Sequence, residues 1–321
     1  MPQLPASNPD TSRTTKAPQR GVLSLVDALG QRLAVASAPL RLAVIAIFAL
    51  IVLLPGFASL PVTDRDEARF VQASRQMVQS GDPVDIRFQD EPRHKKPVGI
   101  YWAQSAAAVV SGQGAEAPLW VWRLPSLIGA VAATVLVAVV AAPLVGPAAA
   151  TMAALLFAAT LILGGEARIA KTDALLLALI LGMQAALVRL HVAAAGIAPA
   201  VNGRFVVWAF WLCLGASLLV KGPVGPMIVL LTMLAVTLWH RRTAWLRPLV
   251  YWPAIAAAGL IVLPWLVAIT VVSHGEFWRA SVGEDLLAKT ALGVEGKGAP
   301  PGTYLALMWM TFFPATLTGS H

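Results

Sequence analysis

The sequence predicts an all-α polytopic membrane protein, and three observations predict it. Mean hydropathy over the 321 residues is +0.72. Charged residues make up 12% of the chain, against roughly 25% in soluble domains. Uncharged apolar runs recur at 42–60, 124–145, 148–165, 174–188 and 251–272, and a helix needs about 20 mostly apolar residues to cross a bilayer. A soluble all-α domain has no core large enough for so many helices that are apolar on every face.

Taken in order, residues 1–40 read as a cytosolic tail. Its first twenty positions are rich in Pro, Ser, Thr and Gln, a composition that favours disorder. About 40 residues precede the first apolar run, so that run is expected to remain as an anchor and not to be cleaved. Residues 41–321 form the transmembrane domain. Basic residues flank the first span (Arg13, Lys16, Arg20, Arg32, Arg41) and recur at His240-Arg241-Arg242 and Arg247. The net charge of +8 is therefore distributed as cytoplasmic flanks are, which argues against nucleic acid as a partner. Cys213 is the single cysteine and lies in an apolar run, which excludes disulfides and a cysteine metal cage.

Hydropathy alone draws crossings at 97–112, 121–145 and 147–165 after the first span. Three crossings there would put His240-Arg241-Arg242 outside, against the tendency of Lys and Arg to stay in cytoplasmic loops. If one stretch fails to cross, that cluster falls inside. Asp173 and the loop at 274–303 then join residues 61–97 outside. The preferred arrangement is this second one. The stretch at 97–112 is the shortest, and Gly146-Pro147 could form a re-entrant bend.

Residues 61–97 are a charged island holding seven of the 16 acidic residues and seven of the 24 Lys and Arg. Thr63 is the expected N-cap of a helix with Asp64, Asp66 and Glu67 in its first turn, where acids suit the helix dipole. Phe70, Val71, Ser74, Met77 and Val78 fall at helical spacing, and Ser80-Gly81 ends the run. The result is a short amphipathic helix on the membrane surface, with Asp66 and Arg69 on one face. Pro92 and Pro97 bracket Arg93-His94-Lys95-Lys96 as an extended cationic turn where the next helix begins.

The ordered set resembles the ArnT-like and protein O-mannosyltransferase-like branch of the GT-C glycosyltransferases. It comprises a first span, Asp66-Glu67-Ala68-Arg69-Phe70, Ser80-Gly81-Asp82, and Lys96-Pro97 beside Tyr101-Trp102. It continues with Trp122-Arg123-Leu124-Pro125, Arg168 followed by Asp173, and Lys221-Gly222-Pro223. The resemblance runs from about residue 40 to the end. It implies a GT-C helix bundle with juxtamembrane helices, and a polyprenyl-phosphate-linked sugar as donor. The implied acceptor is an envelope lipid, glycan or protein, reached at the periplasmic face of the bacterial inner membrane. Such proteins usually continue through more spans, so the chain is expected to be a truncated or short form. The pattern departs from the family in two places. A common Glu-Lys-Pro reads Lys95-Lys96-Pro97 here, and a common Glu-His pair in the later loop reads Glu284-Asp285 with Lys289 beyond. The sequence requires no cofactor, and a divalent metal is left open.

Transfer from a lipid phosphate needs a base for the acceptor hydroxyl and cations for the departing phosphate. Asp66 corresponds to the family's catalytic carboxylate; the alternative is a helix cap paired with Arg69. Lys96, supported by Arg69, and Lys221 are the candidates for the donor phosphate, against head-group contact or snorkelling. Asp173 either assists at the reacting centre or caps its helix. Glu67, Lys95, Arg168, Glu284, Asp285 and Lys289 are weaker candidates, and the Gly- and Pro-rich stretch at 293–301 suggests a lid over the site. A transporter or lipid flippase is the alternative class, and an inactive partner subunit a third.

Overall fold

A computed structural model describes residues 36–197, 203–281, 283, 302–311 and 313. Most of the first 40 residues, Glu284, Asp285, Lys289 and the stretch at 293–301 lie outside the described residues.

The chain climbs through α1 (Ala38–Leu53) into the charged island. There α2 (Arg65–Ser80) is followed by a two-residue hairpin, β1 (Arg87–Phe88) pairing antiparallel with β2 (Glu91–Pro92). Then α3 (Gly99–Val110), α4 (Leu119–Val145), α5 (Pro147–Ala158) and α6 (Leu161–Ala167) follow. The sequence of elements continues with α7 (Asp173–Ala194), α8 (Gly203–Lys221), α9 (Val224–His240) and α10 (Trp252–Val272). Among the described residues, α4, α7, α8 and α10 are each long and apolar enough to span a bilayer. The pair α5 and α6 qualifies together, bent by 62° at Ala159-Thr160. The chain is therefore a multi-pass helical membrane protein.

The α3 stretch does not cross. Twelve residues reach about 18 Å, short of the ~30 Å hydrocarbon layer. Both of its ends pack on the island: Ile100 and Tyr101 against Phe70, Ala73 and Met77 of α2, and Ala108 against Val71 with Trp122 and Ala170. With α3 lying along α2, α4 descends antiparallel to α1. Ile45 of α1 meets Ala138 of α4 and Ala154 of α5 at one end of the bundle. Leu53 meets Leu127 and Ala130 at the other. Then α5–α6 return, α7 descends, α8 returns, α9 descends and α10 returns. Residues 168–173, 221–224 and 273–277 consequently share one face with the island. His191 and His240 meet at the opposite face, ring centroids 4.8 Å apart. This is the second of the two arrangements drawn from the sequence.

Close approach is built on glycine. A Cβ on Gly129 of α4 would lie 2.7 Å from the backbone of Ala174 and Leu175 in α7. A Cβ on Gly99 would lie 2.7 Å from the carbonyl of Leu219 in α8. Membrane helices gain contact this way because lipid supplies no hydrophobic drive between them. The outward faces stay apolar, with Leu230, Leu234 and Leu238 of α9 and Leu260, Leu263 and Val267 of α10 all exposed.

Candidate active site

The first turn of α2 carries the acids. Its cap is Asp64, one residue later than the expected Thr63, and the Asp64 carboxylate accepts from the Asp66 N–H at 2.7 Å. An ionised cap serves the N-terminal dipole better than a hydroxyl does. The same carboxylate pairs with the Lys171 ammonium from the loop between α6 and α7. Lys171 holds the Asp64 carboxyl below the ordinary aspartate range. A group depressed in this way stabilises the fold above its unfolded pKa, and the contribution is lost as pH falls through the folded value. The melting temperature of the wild type should therefore exceed that of Asp64→Asn near neutral pH, and the gap should close on acidification. Thermal unfolding of both proteins in detergent across pH measures it.

Asp66 and Glu67 are adjacent yet face opposite ways. Asp66 is 48% exposed and lies 3.6 Å from Arg69 across one helical turn. Glu67 is wholly buried against Arg123 of α4, with Nε–Oε1 at 2.7 Å and Nη2–Oε2 at 3.0 Å. Arg123 also donates to the carbonyls of Phe57, Leu60 and Pro61, and the Ala170 N–H donates to Glu67 at 2.9 Å. All of Glu67's reach goes into joining α2, α4, the α1–α2 connection and the α6–α7 loop. Arg168 is likewise structural here: its nitrogens donate to the carbonyls of Val52, Pro55 and Gly164, closing the end of α1.

The cations come from separate elements. Lys221 ends α8 and pairs with Asp173, which opens α7, each at the helix end its charge suits. Half-buried Lys96 and exposed Lys95 precede α3, whose Gly99 touches the α8 backbone two residues before Lys221. Lys96 and Lys221 thus emerge from one junction. Beside it, Arg93 donates to the Tyr101 hydroxyl at 3.1 Å and lies over the Phe70 ring at 5.3 Å. Burial pushes the Tyr101 phenol above its ordinary value, so it remains a neutral partner. Asp66 acts electrostatically on both Tyr101 and Lys171, so the exposed acid lies near the Lys171–Asp64 pair.

The sequence reading missed the pairing of Asp64 with Lys171, Arg123 as the partner of Glu67, and Glu166 of α6. The available signal was position. Arg123 and Glu166 sit at the edges of apolar runs, where a charge requires a partner or a task. Among the described residues no three His, Cys, Asp or Glu side chains stand close enough to hold a metal, and His94 is engaged by Asp85 at 3.0 Å. A shallow apolar hollow of about 300 Å³ lies on the outward, exposed face of α9, lined among the described residues by Pro223, Met227, Leu230 and Leu234.

A helical bundle with a juxtamembrane helix and an acid–lysine cluster at one face defines a polytopic membrane protein of GT-C architecture. Residues 95–279 match the model of the dolichyl-phosphate-mannose-protein mannosyltransferase family, more than half of the chain, and the chain belongs to that family. It is 29% identical over 250 residues to the undecaprenyl phosphate-alpha-4-amino-4-deoxy-L-arabinose arabinosyl transferase 2 of Pseudomonas fluorescens. That match covers 76% of this chain and 43% of the relative. The Edwardsiella ictaluri arabinosyl transferase is 27% identical, with 86% and 49% covered. The chain thus spans about half the length of the curated relatives it matches. Among solved structures, ArnT from Cupriavidus metallidurans bound to undecaprenyl phosphate aligns with a TM-score of 0.75 at 21% identity, covering 86% of this chain and 49% of that one. The Saccharomyces cerevisiae protein O-mannosyltransferase complex bound to its sugar donor aligns at 0.53 and 17%, covering 78% and 35%. These likenesses show the shared fold.

Proposed function

We propose that the chain is an integral membrane glycosyltransferase of the bacterial inner membrane. It moves a sugar from a polyprenyl-phosphate donor, of the undecaprenyl type that its relatives' names carry, to an envelope lipid, glycan or protein. The island face is the periplasmic face, consistent with Arg241, Arg242 and Arg247 at the other end. The observation that supports the reading is an exposed carboxylate, Asp66, beside Arg69 and near Lys171, on the same face of an apolar bundle as Lys96 and the Lys221–Asp173 pair.

In this reading Asp66 takes the proton of the acceptor hydroxyl as its oxygen attacks the anomeric carbon. The bond to the donor phosphate breaks on the opposite side, which inverts the configuration. Lys96 and Lys221 hold the departing phosphate, with Arg69 as a fork beside them. Asp173 orients Lys221. The apolar hollow beyond Pro223 offers the prenyl chain a path along α9 away from the head group.

Lys96→Ala and Lys221→Ala test the phosphate contacts. Each is expected to weaken binding of undecaprenyl phosphate by about 10- to 100-fold, the range for losing a hydrogen bond to a charged group. Titration of the purified full chain in detergent measures it. Unchanged affinity in both variants would contradict the phosphate assignment.

A further inference from the structure

Glu166 stands outside the roles given so far. It lies on α6, just past the 62° bend that turns the returning span toward the island face. Its Oε2 is closed off from solvent and has no hydrogen-bond partner among the described residues. The charges acting on it are those of Asp173, Lys171, Lys221 and Asp64. Both of those lysines are already engaged, Lys171 by Asp64 and Lys221 by Asp173. Within this group three carboxylates face two ammonium groups, and the buried Oε2 of half-buried Glu166 is the oxygen left without a donor.

A buried carboxylate oxygen without a donor is costly, and such groups in a folded protein call for an explanation. An arriving phosphate does not supply one, since an anion is repelled by Glu166 and belongs with the lysines. A neutral or cationic hydrogen-bond donor does. In the donor lipid, the group attached next to the phosphate is the sugar ring, which carries hydroxyls and, in amino sugars, an ammonium.

We propose that Glu166 is a specificity-determining residue that accepts a hydrogen bond from a hydroxyl or ammonium of the donor's sugar. Lys96 and Lys221 hold the phosphate while Glu166 reads the ring beside it. This assignment rests on the polyprenyl-phosphate reading above. It adds to that reading a preference for donors with a hydrogen-bonding group facing α6.

The test compares two probes on the purified full chain: bare undecaprenyl phosphate and a sugar-bearing undecaprenyl phosphate. Glu166→Gln should weaken binding of the sugar-bearing probe by about 10- to 100-fold, while affinity for the bare phosphate holds or rises, because the variant removes a repelling charge. A larger loss with an amino-sugar probe than with a neutral one identifies the ammonium as the partner, and equal losses identify a hydroxyl. Equal weakening of bare and sugar-bearing probes would overturn the proposal and leave Glu166 a prop for the lysines. No weakening of either would overturn it as well. If Glu166→Gln does not accumulate in membranes, Glu166→Asp, which keeps the charge but draws it back by one methylene, is measured in the same way. Failure of the wild type to bind bare undecaprenyl phosphate would instead remove the functional reading itself, and this inference with it.

Discussion

Asp66→Asn is expected to abolish sugar transfer in membranes while leaving the protein level unchanged. A positioned general base contributes about 10²–10⁴-fold, and the amide cannot accept the acceptor's proton. The geometry separates this loss from misfolding. Asp66 is half exposed, and its ion pair with Arg69 at 3.6 Å is of the surface kind that contributes little to stability. Transfer from a labelled polyprenyl-phosphate sugar, with protein level followed on the same membranes, measures both quantities. Full activity in the variant would contradict the assignment of the base.

The neighbouring residue should behave in the opposite manner. Arg123→Met leaves the Glu67 carboxylate buried without its fork, and Glu67→Met leaves the guanidinium stranded among carbonyls. Breaking one side of a buried, hydrogen-bonded ion pair costs about 3–5 kcal/mol. Glu67 and Arg123 are 0% and 1% exposed and are bidentate, so this pair belongs to that class. Each single variant should lower the melting temperature or the folded yield sharply. Replacing both by Met should cost less than the two single losses summed, because no charge is then left unpaired. Thermal unfolding of the three variants in detergent measures the coupling. Strictly additive losses would contradict the account of this pair as the tie that holds α2 on the bundle.

Those two residues also show what the sequence could and could not convey. Periodicity placed the apolar face of α2 on Phe70, Val71, Ser74 and Met77, and Gly81 at its left-handed end, because both signals are local. The helix start shifted from Thr63 to Asp64 because the cap is chosen partly by a tertiary partner, Lys171. That Asp66 faces the open mouth while Glu67 faces the core follows from helical geometry. That Glu67 meets Arg123, 56 positions away, does not. The basic cluster at 240–242 told against three crossings, but the sequence left two candidates for the stretch that fails to cross, the short 97–112 and a bend at Gly146-Pro147. Glu166 was passed over because it directly follows an apolar run and belongs to no motif. Only the convergence of α6, α7 and α8 reveals which charges surround it.

The most direct measurement follows the fate of the donor. The full chain is reconstituted in proteoliposomes with an undecaprenyl-phosphate sugar labelled on the sugar, and envelope lipid, glycan and protein fractions are supplied. The account predicts that label moves to an acceptor while bare undecaprenyl phosphate appears in equal amount, and that Asp66→Asn stops both. Labelled donor that crosses the bilayer with its sugar still attached would contradict it and make the protein a carrier of the lipid instead.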